Sequence, residues 1–298
     1  MISIRSINPF EYLAPDALAD ALEILEAKGK DGKILNGGTD LVLQMKQGLI
    51  HPSSVVDIKR IPELNILKWD ESDGFRIGSA VPIDRILSYT SLPKEYGILM
   101  QAVSLIGSMQ IKNRGTIGGN VCNAAPSADS APALLCLDAR VVLTSVKGTR
   151  TVPLDAFFIG PGQTLLNGNE ILLEIIVPTP SPGSAGCYLR HTTRAEMDIA
   201  VTGVASWLDL SSQDNQVKAV RIALGAVAPT PIRANHAEEA LMGKPVTSAG
   251  IEEAAETAGR EAEPISDLRG SAQYRRELVR VLTRRTLKGA CEGLGIQI

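Results

Sequence analysis

The sequence predicts an α+β protein in two parts, and three observations carry that expectation. The 298-residue length exceeds what one hydrophobic core comfortably serves. Pro178 to Gly186 reads Pro-Thr-Pro-Ser-Pro-Gly-Ser-Ala-Gly, and three prolines and two glycines in nine residues break any long regular element there. Beyond that break, strands come first and helices follow, without strict strand–helix alternation. The boundary is expected at 178/179, giving residues 1–178 and 179–298.

Each element has its own signal. Leu18, Ala21, Leu22 and Leu25 recur at helical spacing after Pro15-Asp16, so Ala17 to Lys28 is expected as an amphipathic helix. Gly29 to Gly32 breaks it, and Lys33 to Leu35 follows as a short strand. Ser54 to Ile58 and Gly74 to Gly78 alternate and carry β-branched residues, which predicts strands. Ile83–Leu87, Ile98–Ile106 and Ser130–Leu137 are helical in pattern, and Ala139–Thr144 is a strand. In the second part, Thr202–Leu210 and Ala219–Gly225 are expected strands of an antiparallel pair or meander. Ala237–Met242, Ile251–Ala258 and Tyr274–Leu287 are the expected helices.

Two glycine pairs stand out: Asn36-Gly37-Gly38-Thr39-Asp40 and Thr116-Ile117-Gly118-Gly119-Asn120. Both are expected as tight turns entered from extended backbone, Lys33-Ile34-Leu35 before one and Asn113-Arg114-Gly115 before the other. Glycine adopts positive φ and lets N–H groups approach a ligand, and successive N–H groups form a nest suited to phosphate oxygens. One such turn says little. Two, with polar residues at their ends, suggest two halves of one pyrophosphate cradle. The second lies in a dense polar stretch, Gly107 to Asp129, rich in amides and hydroxyls that suit a ribityl or ribose chain. Neither pair fits GxGxxG, and GxxxxGK[ST] and GxSxG are absent.

Composition narrows the function further. With 44% hydrophobic and 21% charged residues and a net charge of −3, neither nucleic acid nor an anionic membrane is an expected partner. No apolar run approaches the roughly 18 residues of a membrane span. The segment Met1-Ile2-Ser3-Ile4-Arg5 lacks signal-peptide features, which favours the cytoplasm unless a partner carries the export signal. Cys122, Cys136, Cys187 and Cys291 show no CxxC spacing, and His51, His191 and His236 are isolated, so no metal site is expected. Seven basic residues from Arg269 to Lys288 face one acid, Glu277. They suit a solvated helix face or a protein interface better than nucleic acid in so acidic a chain.

Together these motifs resemble the medium, FAD-binding subunit of the molybdenum hydroxylases, the group of xanthine dehydrogenase and aerobic carbon monoxide dehydrogenase. Asn36-Gly37-Gly38-Thr39-Asp40 is similar to its first FAD loop, usually Ala-Gly-Gly-Thr-Asp. Arg114 to Asn120 is similar to the second, and Pro126-Ser127-Ala128-Asp129 to the element after it. Ser266 to Arg276 resembles the terminal-domain signature. The resemblance spans nearly the whole length. It implies a two-part FAD-binding domain of the vanillyl-alcohol-oxidase type, with subdomains of about 1–55 and 56–178, and a small α+β C-terminal domain.

Carried over residue by residue, the resemblance implies that Asn36, Gly37, Gly38, Thr39 and Asp40 meet the pyrophosphate from one side. Thr116, Ile117, Gly118, Gly119 and Asn120 would meet it from the other. Ser108, Ala125 and Ser127 are further expected contacts, and Asp129 would hydrogen-bond the ribityl or ribose portion. Asp198-Ile199-Ala200 resembles the segment whose middle residue lies near the isoalloxazine ring, which would place Ile199 there. Arg190 and Arg194 are candidate cations at the flavin edge, where positive charge stabilises the reduced anion. In a subgroup resembling 4-hydroxybenzoyl-CoA reductase, an insertion carries cysteines for an extra cluster. That insertion is missing here, and no iron–sulfur cluster is expected in this chain.

The implied activity is electron relay. A large subunit oxidises substrate at molybdenum, two [2Fe–2S] clusters of a small subunit pass the electrons on, and FAD hands them to an external acceptor. A dimer of such heterotrimers is the implied assembly. Two alternatives stand beside it: a self-contained flavin oxidase, against which the small second domain argues, and a scaffold that has lost FAD, against which the intact glycine pairs argue.

Overall fold

The computed structural model describes residues 7–195, 197–211 and 213–298. Residues 1–6 of the expected first subdomain lie outside the described residues. Glu11–Leu13, Gly32–Leu35 and Ser54–Asp57 form a three-stranded parallel sheet with Ser54–Asp57 in the middle. Parallel neighbours need crossover connections, and the helices Leu18–Lys28 and Leu41–Gln47 supply them. Ala21, Leu22 and Leu25, at the helical spacing of the sequence, are buried on Val56, Ile58, Ile61 and Leu64.

The second sheet has five antiparallel strands in the order Leu67–Asp70, Gly74–Gly78, Ile171–Val177, Arg140–Ser145, Gly148–Pro153. Its central strand, Ile171–Val177, is a nearly continuous apolar run and returns from almost a hundred residues away in sequence to pair with Gly74–Gly78. Phe75, Ile77, Val141, Leu143 and Ile175 from this sheet pack against the helices Gly97–Ser104 and Ser130–Cys136 in the largest core.

The third sheet is antiparallel, Ala185–His191, Thr202–Leu210, Val217–Gly225 and Ile232–Arg233. It is covered on both faces, which explains why Thr202–Leu210 shows an apolar run with little alternation. Val204 and Leu208 pack toward the helices Asn235–Leu241, Ser248–Glu261 and Ala272–Gly293, where Ser206 Oγ meets Thr286 Oγ1 at 2.7 Å. The alternate residues Ala205 and Trp207, with Tyr188 and Ala223, join the core of the five-stranded sheet.

Several expected elements are corrected at their edges. The segment before the second glycine pair is not extended: Met109–Lys112 is a short helix, and Asn113-Arg114 turn out of it. The strand Ala185–His191 begins inside the proline-rich break. The last helix runs from Ala272 to Gly293, capped by Ser271 Oγ, which accepts from the Tyr274 N–H at 3.1 Å. Among its cations, Arg280 pairs with Glu256 and Glu277 and Arg284 with Glu252. Arg275 departs from the expected solvated face. It is 4% exposed and donates to the carbonyls of Val201 (2.9 Å) and Ala226 (3.1 Å) and to Asp267 (2.7 Å). Among the described residues no helix is long and apolar enough to cross a membrane.

Candidate functional site

Where the parallel sheet meets the five-stranded sheet, a cleft of about 710 Å³ opens, lined by residues from all three sheets' surroundings. That volume lies in the range of about 300–1,000 Å³ usual for small-molecule and cofactor sites. Asn36 to Asp40 line it in an unbroken run, and Thr116, Gly118, Gly119 and Asn120 line it as well. The two glycine segments touch each other. A Cβ on Gly37 would stand 2.3 Å from the Arg114 carbonyl oxygen, so only glycine fits at that crossing. Gly38 has φ +77°, the left-handed conformation that turns the strand Gly32–Leu35 into the helix Leu41–Gln47. Among the described residues, the N–H groups of Gly37, Gly38, Thr39 and Asp40 donate to no protein acceptor. Four consecutive N–H groups without a protein acceptor thus lie in a cleft-lining segment, the donor supply that an anion nest needs.

The second glycine pair has a different basis. It is not a turn but the start of the helix Ile117–Asn123, and neither Gly118 nor Gly119 has positive φ. Thr116 caps that helix, its Oγ1 accepting from the Gly119 N–H at 2.9 Å. Gly119 therefore offers space, not a donor. Gly118 is needed because a Cβ there would lie 2.7 Å from the Cα, Cβ and carbonyl oxygen of Ser79. Asn36 Nδ2 donates to that same Ser79 carbonyl at 2.6 Å. Ser79 thus holds the two halves of the cradle together.

At the other end of the cleft lie Ala125, Ser127, Asp129, Arg190 and Ile199. Asp129, the expected partner of the ribityl or ribose portion, also has partners within the protein. Both carboxylate oxygens are engaged within the protein, one by Tyr188 Oη at 2.7 Å and the other by a short contact from Arg190. All three groups are buried, Arg190 with a side chain 8% exposed. Burial pushes the Asp129 carboxyl above its ordinary value, although Arg190 and the Tyr188 hydroxyl pull the other way. Ile199 is 49% exposed at the mouth, on a loop tied by Asp198 to the Thr193 hydroxyl (2.6 Å) and the Arg194 N–H (2.8 Å). Arg194 pairs with Asp198, is 71% exposed and does not line the cleft.

Ser108 and Ile117 do not line the cleft either. The Ser108 hydroxyl caps the helix Met109–Lys112, and the Ile117 side chain is buried in the main core. Sequence reasoning missed Ser79, Tyr188 and the loop Thr164–Glu170. Glu170 anchors that loop, accepting from Arg150 Nε (2.7 Å), Arg150 Nη2 (2.9 Å) and the Asn167 N–H (2.8 Å). The one available signal was Asn167-Gly168-Asn169, a turn sequence directly before the apolar run Ile171–Val177. The cysteines are free thiols, and burial pushes Cys122 and Cys136 up to about 12.

These residues fit a dinucleotide flavin. The cleft has room for it, one wall carries free N–H donors, and the Asn36 Oδ1 and Ser79 Oγ atoms are buried without a protein partner. A buried orphan polar atom ordinarily has a ligand or water to serve it.

Comparison with known proteins agrees. The pattern describing the FAD binding domain in molybdopterin dehydrogenase matches residues 8–180, and that of the CO dehydrogenase flavoprotein C-terminal domain matches 188–290. The chain is 35% identical to the carbon monoxide dehydrogenase medium chain of Hydrogenophaga pseudoflava over 281 residues, 94% of this chain and 96% of that one. It is 33% identical to the xanthine dehydrogenase FAD-binding subunit of Escherichia coli O157:H7, covering 95% and 97%. Among solved structures, carbon monoxide dehydrogenase from H. pseudoflava superposes with a TM-score of 0.92 over 97% of this chain and 99% of that one, at 35% identity. Quinoline 2-oxidoreductase from Pseudomonas putida 86 superposes with a TM-score of 0.90 at 28% identity, covering 97% and 99%. The chain therefore belongs to the FAD-binding medium-subunit family of the molybdenum hydroxylases, flavoproteins of oxidoreductase complexes of the carbon monoxide and xanthine dehydrogenase type.

Proposed function

We propose that this chain is the electron-relaying flavoprotein of a heterotrimer, itself paired as a dimer of heterotrimers. A small subunit with two [2Fe–2S] clusters delivers electrons to it, and a large subunit with the molybdenum cofactor oxidises the substrate. The observation that carries this reading is the cleft of about 710 Å³, in which the two glycine segments meet beside a row of unpartnered N–H groups. When bound, FAD supplies the redox step, taking electrons from the partner and releasing them to an external acceptor.

The protein's part is to hold and orient. Gly37, Gly38, Thr39 and Asp40 take the pyrophosphate on one side, while Thr116, Gly118 and Gly119 close the other. Arg190 brings a buried positive charge to the cleft, held in place by Asp129 and Tyr188. Such a charge favours electron acceptance by the flavin. Ile199 covers the mouth with an aliphatic surface. The division at 178/179 assigns the glycine segments to the first domain and Arg190 and Ile199 to the second, so both domains complete the site. Ser108 and Ile117 belong to its supporting wall.

An absorbance spectrum of the chain purified with whatever accompanies it tests the assignment. The expected result is flavin bands, iron–sulfur absorbance and two further polypeptides. Substrate turnover by the flavin-loaded chain alone would replace the relay with a self-contained oxidase. Failure to take up added FAD would remove the flavoprotein assignment altogether.

A further inference from the structure

Ser79 lies outside both glycine motifs, immediately after the strand Gly74–Gly78, yet every cradle segment converges on it. Its N–H donates to the Leu173 carbonyl at 3.0 Å, which ties it to the cleft-lining strand Ile171–Val177. Its carbonyl accepts from Asn36 Nδ2 at 2.6 Å, and its Cα and Cβ sit where a Gly118 side chain would have to go. The residue is 2% exposed and lines the cleft. Its backbone N–H and carbonyl are both engaged, but its hydroxyl has no partner.

A hydroxyl that is both buried and unsatisfied forfeits the hydrogen bonds it made to water, and nothing within the protein offsets the loss. Asn36 has the complementary condition. Its amide nitrogen is used on Ser79 while its Oδ1 is buried and unpartnered. The first loop of this chain thus carries an amide that holds, through its backbone carbonyl, a cleft-lining residue whose own hydroxyl is without a protein partner.

We propose that the Ser79 hydroxyl is a further FAD-binding group, donating a hydrogen bond to the pyrophosphate, and that Asn36 is its positioning residue. The location follows from the convergence of both glycine segments on Ser79. The direction follows from chemistry, because a hydroxyl can donate to a phosphate oxygen. This inference rests on the FAD assignment above and deepens it.

FAD titration of the full apo chain, followed by flavin fluorescence, provides the test together with melting curves of the apo and loaded forms. Wild-type protein must bind FAD; if it does not, the cofactor assignment fails before Ser79 is at issue. Given wild-type binding, Ser79→Ala is expected to weaken FAD affinity about tenfold or more, the range for a hydrogen bond to a charged group. The apo melting temperature should stay level or rise, because the substitution removes an orphan, while that of the loaded form falls. A purely structural serine would lower both. The near-isosteric Ser79→Cys, a weak donor, should weaken binding in the same direction. Asn36→Ala should weaken binding too, and its effect should not add fully to that of Ser79→Ala. Unchanged FAD affinity in Ser79→Ala and Ser79→Cys would overturn the proposal and leave the hydroxyl to an ordered water.

Discussion

At the residue scale, the glycines of the cradle do separate jobs that the sequence shows as one motif. Asn36 to Asp40 was legible because a strand followed by Gly-Gly and then a helical pattern forces a turn, and Gly38 does adopt positive φ. The second pair was legible as important and misread as a turn. Its helix is only seven residues long, and Gly-Gly lowers helix propensity enough to hide it. Why glycine stands at 118 could not be seen at all, since the reason is Ser79, thirty-nine residues away in sequence. A difference between neighbouring glycines follows. Gly118→Ala drives a methyl into Ser79, an overpacking that costs about 1–3 kcal/mol, and should lower the melting temperature of the apo chain. Gly119 has no such neighbour beyond Thr116 Oγ1 at 3.1 Å and faces the cleft. Gly119→Val should therefore lose FAD while the apo chain melts nearer to wild type. Equal destabilisation by both, with FAD retained by Gly119→Val, would assign both glycines to packing.

At the scale of elements, the loop Thr164–Glu170 shows what a local reading cannot reach. The run Ile171–Val177 carries an obvious strand composition, but its central place in a five-stranded sheet depends on pairing with strands far along the chain. The loop before it lines the cleft only because that strand is central. Arg150, on the edge strand Gly148–Pro153, fixes the loop by holding Glu170 and donating to the Leu165 carbonyl at 2.8 Å. The Arg150 guanidinium keeps the Glu170 carboxyl below its ordinary value against a desolvation that raises it. A carboxyl depressed in the folded state stabilises the protein above its unfolded pKa of about 4.3. That contribution is lost as pH falls through the lower folded value. Glu170→Gln should accordingly be less stable than wild type at pH 7, by about 1–3 kcal/mol for lost bonds to a charged group. The gap should close as the wild-type carboxyl protonates in the acid range. Urea unfolding of both proteins from neutral to acid pH checks it, and a gap independent of pH would place the effect in packing.

For the whole molecule, the expected two-part division and the observed cores describe different things. Composition located a break near 178–186 because proline and glycine are local signals. The packing across that break is not local. Tyr188, Ala205, Trp207 and Ala223 from the far side enter the core built by Phe75, Leu99, Leu134 and Ile175. The lack of alternation along Thr202–Leu210 held the clue, since a strand apolar on both faces needs cover on both faces. The cleft depends on this union, because Arg190 and Ile199 come from one side of the break and the glycine segments from the other. A shared core of this kind should make the protein unfold as one cooperative unit. The two tryptophans provide the probes. Trp69 lies in the five-stranded sheet and Trp207 in the four-stranded sheet, 2% exposed beneath Arg221, and both pack on the same core. Trp207→Phe leaves a reporter of the five-stranded sheet, and Trp69→Phe leaves a reporter of the four-stranded sheet. Each reporter's fluorescence should follow the same transition as the loss of helix by circular dichroism in its own variant. FAD at about 100 times its dissociation constant should raise stability by about 2.7 kcal/mol and shift both transitions upward together. If the Trp207 signal instead melted apart from the helix signal, or failed to respond to FAD, the C-terminal sheet would be an independent unit. Arg190 would then reach the cofactor only when two separately folding bodies dock.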